Sequence, residues 1–209
     1  MTDRTLGRMD AALGRARRAG VTPLGLAAGL GLVGMVIAAR LLPHQPNFTP
    51  LAAVALFAGF LFPRAWMGLA AAWLALAISD AFIGLYHPLV MVSVYLSAAF
   101  PILLRRLVRR PAMWRVAACS LTGAVVFFVV TNFAVWLAAP SSVYAATPAG
   151  LAACYAAALP FFKFTLAGDA MWALALFGSH ALVLRAWATW GSRRSAAPSG
   201  SVQALAIRA

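Results

Sequence analysis

Two aspartates stand out in this sequence because each one interrupts a long apolar stretch. Asp80 and Asp169 lie in such stretches, whereas the other two acidic residues, Asp3 and Asp10, are close to the N-terminus. A carboxylate at the centre of a membrane helix costs about 2.5–3.5 kcal/mol on insertion scales. Each aspartate must therefore face the bundle interior, water or a partner. It serves either as a ligand or proton site, or as a structural lock that hydrogen-bonds a neighbouring helix or pairs with Lys163.

Other polar and aromatic side chains accompany the two aspartates. Asn132 and Trp136 are four residues apart and share a helix face, as do Phe161, Thr165 and Asp169. In a ligand pocket, aromatic rings supply contact area and amides supply orientation. The alternative is an interfacial aromatic belt with ordinary interhelical hydrogen bonds. The candidate substrate-binding residues are Asn47, Phe48, Asp80, Asn132, Trp136, Tyr155, Phe161, Lys163, Thr165 and Asp169.

The sequence lacks the usual signatures of catalysis, nucleotide binding and metal binding. It has no Walker A loop, no GxSxG elbow, no HExxH motif and no paired carboxylates on one helix. Its two cysteines, Cys119 and Cys154, form no CxxC motif, and no histidine-rich metal spacing is present. We therefore predict that the protein is not an enzyme and has no catalytic residues, no metal site and no cofactor.

The composition points to a membrane protein. Hydrophobic residues make up 64% of the chain and charged residues only 10%, against about 45–50% and about 25% in soluble domains. The 17 Lys and Arg residues give a net charge of +13. These basic residues lie at the edges of apolar blocks and form no continuous basic face, which argues against nucleic acid as a partner. Membrane lipid is the expected surrounding.

Six apolar blocks remain when the chain is divided at prolines, glycines and charge clusters. About 20 apolar residues cross about 30 Å of hydrocarbon, so five blocks are long enough. The second block is short and could be re-entrant on length alone. The predicted fold class is an all-α membrane protein, a bundle of six transmembrane helices. The blocks run over 22–42, 50–63, 65–86, 88–104, 115–139 and 160–186.

The arginines predict the orientation of the bundle. With the N-terminal arginines in the cytoplasm, six crossings place 15 of the 17 basic residues there, and only Arg40 and Lys163 outside. If the second block did not cross, the arginines between 105 and 110 would face outward. We therefore predict a multi-pass protein of the bacterial inner membrane with both termini inside. Its parts are a basic tail (1–21), a six-helix domain (22–187) and a disordered cytoplasmic tail (188–209).

Several polar residues at fixed places resemble those of a known family. They are the run 40–50, the pair Ser79-Asp80, the segment 131–133, and Tyr155 followed by the segment 160–169. Over roughly residues 40–178, the chain resembles a family of small bacterial membrane proteins of unknown function that are labelled as transport proteins. That group is similar in size and layout to the S components of energy-coupling factor (ECF) transporters.

The resemblance to S components implies a function and a set of partners. Such proteins bind a vitamin or another micronutrient from the outer side, in a pocket roofed by outer loops. They depend on a coupling protein with two ATPase subunits, so these subunits and a small-molecule solute are the implied partners. Two alternatives remain open. One is a stand-alone secondary carrier with the two aspartates as proton sites. The other is a membrane scaffold or assembly protein whose polar outer residues contact another chain.

Overall fold

The computed structural model describes residues 23–43, 48–109 and 111–195. Over these ranges the chain forms six α-helices and no β-strand, which confirms the predicted all-α class. A short 3-10 helix, Leu104–Arg106, extends the fourth α-helix. The helices are α1 (Pro23–Leu41), α2 (Leu51–Leu61), α3 (Ala65–Ile83), α4 (Pro88–Leu103), α5 (Met113–Ala138) and α6 (Pro148–Ser195).

Four of these helices are long and apolar enough to cross a membrane. They are α3, α4 with its 3-10 extension, α5, and α6 over Pro148–Ala186. The apolar part of α1, Gly25–Leu41, and the whole of α2 are shorter. The 11 residues of α2 extend over about 16 Å, about half of the hydrocarbon thickness. The helical part of α2 is therefore shorter than a usual transmembrane span.

Helix α2 is the centre of the bundle. It contacts each of the other five helices, and all of its residues from Ala52 to Gly59 are buried. Prolines delimit it at both ends, with Pro50 at the N-cap and Pro63 just after the C-cap. Phe62 has an extended backbone, as the steric demand of a following proline favours, and the helix ends there.

Gly68 allows α3 to lie directly against the backbone of α2. A Cβ atom at this position would lie 3.2 Å from both the carbonyl carbon of Ala58 and the amide nitrogen of Gly59. We predict that Gly68→Ala lowers the melting temperature of the purified protein, because overpacking costs about 1–3 kcal/mol.

Gly178→Ala in α6 is the matched control for this prediction. A Cβ atom at Gly178 would have nothing within 4 Å, and alanine has the higher helix propensity, by about 1 kcal/mol. The control should therefore melt at the wild-type temperature or slightly above it. Equal melting temperatures for the two variants would contradict the close approach of α3 to α2.

Helix α6 is longer than the sixth predicted block at both ends. The block starts at 160, but α6 begins at Pro148 and continues through Pro160. The residues before Pro160 are mostly alanine and leucine, which are strong helix formers, so the helix forms on both sides of the proline. At its other end α6 reaches Ser195, beyond the predicted boundary at 187. The rest of the two predicted tails lies outside the described residues.

The two ends of the bundle have different features, an arginine contact at one end and a cavity at the other. At one end, the Arg105 guanidinium donates a hydrogen bond to the carbonyl oxygen of Pro63 at 2.8 Å, which joins the end of α4 to the α2–α3 loop beside Arg64. At the opposite end, Thr49 of the α1–α2 loop and Tyr86 of the α3–α4 loop line one cavity. We call these the arginine end and the cavity end.

Candidate functional site

Asp80 forms an ion pair with an arginine that the sequence placed on the same side of the membrane. Nη2 of Arg40 in α1 donates to Oδ1 of Asp80 at 2.7 Å, and the Tyr95 hydroxyl of α4 donates to Oδ2 at 3.1 Å. Nη1 of Arg40 also donates to the Ser79 hydroxyl at 2.6 Å. The Asp80 side chain is only 1% exposed. This network joins α1, α3 and α4 inside the bundle.

Asp169 caps the beginning of α2 from a neighbouring helix. Its Oδ1 accepts a hydrogen bond from the Ala53 amide at 3.3 Å. The first N–H groups of a helix lack intrahelical partners and have partial positive charge, and the N-cap residue Pro50 supplies no side-chain bond. Asp169 is 3% exposed. Helix α6 therefore provides the cap that the local sequence of α2 lacks.

No basic side chain of the described region lies within ion-pair distance of Asp169. Lys163, the base proposed from the sequence as a partner for the aspartates, is exposed. Its ammonium group lies over the Phe164 ring, 5.0 Å from the centroid. The two aspartates thus differ, because Asp80 is neutralised by Arg40 and Asp169 is bonded to a backbone amide of α2.

A cavity of about 300 Å³ lies beside both aspartate networks. All six helices contribute to its wall, so it exists only when the whole bundle is assembled. Its volume is at the lower end of the range of about 300–1,000 Å³ for ligand pockets, and apolar walls with a few polar groups are typical of such pockets. The lining residues are Arg40, Thr49, Leu51, Ala52, Ile83, Tyr86, Val94, Phe127, Thr165 and Asp169.

Two of the polar groups on the wall have donors available for a ligand. A guanidinium has five N–H donors, and Arg40 uses only its two Nη atoms in bonds to the described residues. Burial and the nearby Asp80 raise the pKa of Tyr86 above its usual value, outweighing the opposite effect of Arg40. The Tyr86 hydroxyl therefore stays protonated at neutral pH and can donate a hydrogen bond.

Part of the predicted binding set lies at this cavity. Thr165 and Asp169 line it, and Asp80 lies directly behind the α1 guanidinium. Phe48 packs against the backbone of α6 beside Asp169, so that a Cβ atom on the preceding glycine would lie 3.3 Å from the Cα of Phe48. Asn47 lies outside the described residues.

The other predicted residues do not line the cavity. The Asn132 amide donates to a carbonyl oxygen one turn earlier in α5, at 2.7 Å. The Tyr155 hydroxyl donates to another α5 carbonyl oxygen at 2.7 Å, and the Trp136 indole donates to the α5–α6 loop at 2.9 Å. Phe161 and Lys163 are exposed. The Tyr155 bond joins α6 to α5, whereas the Asn132 bond lies within α5. None of the five side chains lines the cavity.

The predicted set did not include eight of the ten lining residues, among them Arg40, Tyr86 and Phe127. Arg40 was assigned only an outer position, although an aspartate within an apolar helix favours a nearby base as its partner. That rule would have identified the pair with Asp80. Tyr86 and Phe127 are ordinary aromatic residues of a membrane protein, and no spacing distinguishes them from lipid-facing rings.

The region that forms the helices and the cavity is also the region that matches a protein family. A model described as "Family of unknown function (DUF6580)" matches residues 24–192. This range includes every lining residue and the segments on which the resemblance to a family of unknown function rests. No curated protein and no solved structure matches the chain. The chain belongs to DUF6580, a family of unknown function.

Proposed function

We propose that this protein is a membrane transport protein that binds a small solute in the cavity and serves its uptake, in the manner of an ECF S component. The main support is the cavity itself, because all six helices build it and place charged groups on a wall that also has apolar side chains. Placing a guanidinium and a carboxylate inside a membrane bundle costs free energy, and such residues commonly mark substrate or ion sites. Their position on a cavity therefore supports ligand recognition.

We place the arginine end in the cytoplasm and the cavity end outside a bacterial inner membrane. Arg64, Arg105, Arg106 and Arg109 belong to the arginine end, whereas Arg40 at the cavity end is bound in an ion pair. Basic residues next to membrane helices favour the cytoplasmic side. In this orientation both termini are inside, and the cavity faces the side from which an uptake protein receives its solute.

Cysteine labelling tests the proposed orientation. Single cysteines at Leu85 and Ser141, in loops at the cavity end, should react with a membrane-impermeant thiol reagent added to spheroplasts. Single cysteines at Arg64 and Arg109 should react only after the membrane is opened. The two native cysteines are buried, so the background should be low. Reaction at position 109 in sealed spheroplasts would contradict the orientation.

Native mass spectrometry of the purified protein tests solute binding. The wild-type protein should retain a small molecule, and Thr165→Phe should release it, because the phenyl ring would occupy part of the cavity that Thr165 lines. Thr122→Phe is the matched control. Thr122 is exposed on α5 and bonds only to its own helix. Equal retention by the two variants would show that the cavity is not the binding site.

The source of energy distinguishes the proposal from its alternatives. The sequence has no Walker A motif, so we propose that a coupling protein with ATPase subunits drives uptake. Solute accumulation in proteoliposomes that contain only the purified protein would instead favour a secondary carrier. Co-purification with a large enzyme, without any retained solute, would favour a scaffold.

A further inference from the structure

The charges around the cavity do not cancel within the described residues. Arg40 and Asp80 neutralise each other in one ion pair, and Asp169 has one backbone amide but no base as a partner. The beginning of α2 offsets part of the Asp169 charge, since a helix N-terminus corresponds to about half of a positive charge. When Asp169 is ionised, its remaining negative charge favours a positive group of a solute at this point of the wall.

A positively charged group, the Arg40 guanidinium, lies on the wall of the same cavity. Arg40 belongs to α1 and Asp169 to α6, and both line the wall. The Nε–H of Arg40 has no partner among the described residues. Arginine binds carboxylates through two parallel N–H donors, and the protonated hydroxyl of Tyr86 lies on the same wall. This part of the cavity therefore suits an anionic group.

The wall also has apolar side chains. Leu51, Ile83, Val94 and Phe127 supply them from four different helices. A solute with only a positive group would leave the spare donors of Arg40 unbonded, and desolvated groups without partners reduce affinity. A solute with only a negative group would be repelled by the Asp169 carboxylate.

We infer that the solute is a small zwitterion, and this inference rests on the proposed function. Its ammonium group binds Asp169, its carboxylate binds Arg40, and its short apolar body lies against the wall between them. Asp80 acts as a positioning residue, because it orients the guanidinium through the 2.7 Å ion pair and is not itself a lining residue.

A series of ω-amino carboxylates tests this inference, from 3-aminopropanoate to 6-aminohexanoate. The matched probes are carboxylates and amines of the same chain lengths, and the measurement is displacement of the retained solute in native mass spectrometry. The best amino carboxylate should displace it at a concentration at least about tenfold lower than either matched probe. In Asp169→Asn, the amino carboxylate should lose its advantage over the plain carboxylate.

The double variant Arg40→Gln/Asp80→Asn tests the other half of the site without leaving an unpaired charge. In this variant the amino carboxylate should lose its advantage over the plain amine. If all three probe types displace the solute equally, or if none displaces it, the zwitterion assignment is overturned while solute binding stands. If wild-type protein retains no solute and no probe binds, the proposed function itself is overturned.

Discussion

Arg40→Ala should strongly destabilise the protein, because it leaves the Asp80 carboxylate buried without a cation. Removing one partner of a buried ion pair costs about 3–5 kcal/mol, and the Asp80 side chain is only 1% exposed. The hydrogen bond from Tyr95 cannot supply the lost positive charge. We expect a much lower yield of monodisperse protein and a melting temperature well below that of wild type.

Two further variants distinguish loss of the ion pair from loss of an arginine. Arg106→Ala removes an exposed arginine at the other end of the bundle, where a single charge contributes about 0–1 kcal/mol. The double variant Arg40→Gln/Asp80→Asn replaces both charges with neutral hydrogen-bonding groups, so it should recover most of the stability that Arg40→Ala loses. If Arg40→Ala and Arg106→Ala have the same melting temperature, the Arg40–Asp80 ion pair does not stabilise the bundle.

Properties that depend only on the local chain could be predicted from the sequence. The third and fourth blocks coincide with α3 and α4 to within three residues at each end, because apolar length and prolines determine where such helices end. The burial of Asp80 and Asp169 also follows from a local property, the cost of a carboxylate in lipid. Neither result requires knowledge of which helices are neighbours.

Properties that depend on packing could not be predicted in the same way. The sequence shows that Asn132 and Trp136 share a face of α5, but not which neighbour that face contacts. In the structure both bond to backbone carbonyl oxygens of α5 or the following loop. The central position of α2 could not be predicted from the sequence either, because an 11-residue apolar helix is compatible with a re-entrant segment as well as with a buried helix. The cavity depends on that position.

Asp169→Asn should separate solute binding from folding. The asparagine side chain has nearly the same size, and its carbonyl oxygen can accept the hydrogen bond that the Ala53 amide donates to Asp169. The lost interaction with the helix dipole of α2 is worth about 0.3–1 kcal/mol, so the melting temperature should fall only slightly. Without the charge, affinity for the retained solute should fall at least about tenfold, or about 1.4 kcal/mol.

Asp169→Leu is the comparison variant, because it removes both the charge and the hydrogen-bonding cap, whereas Asp169→Asn removes only the charge. It should lose solute binding and also melt well below Asp169→Asn, since the buried amide of Ala53 loses its partner at a cost of about 1–3 kcal/mol. Binding and melting should be measured on the same preparations. Normal solute binding by Asp169→Asn would mean that Asp169 only caps α2 and does not bind the solute. A failure of that variant to fold would mean that the charge itself holds α2 in place.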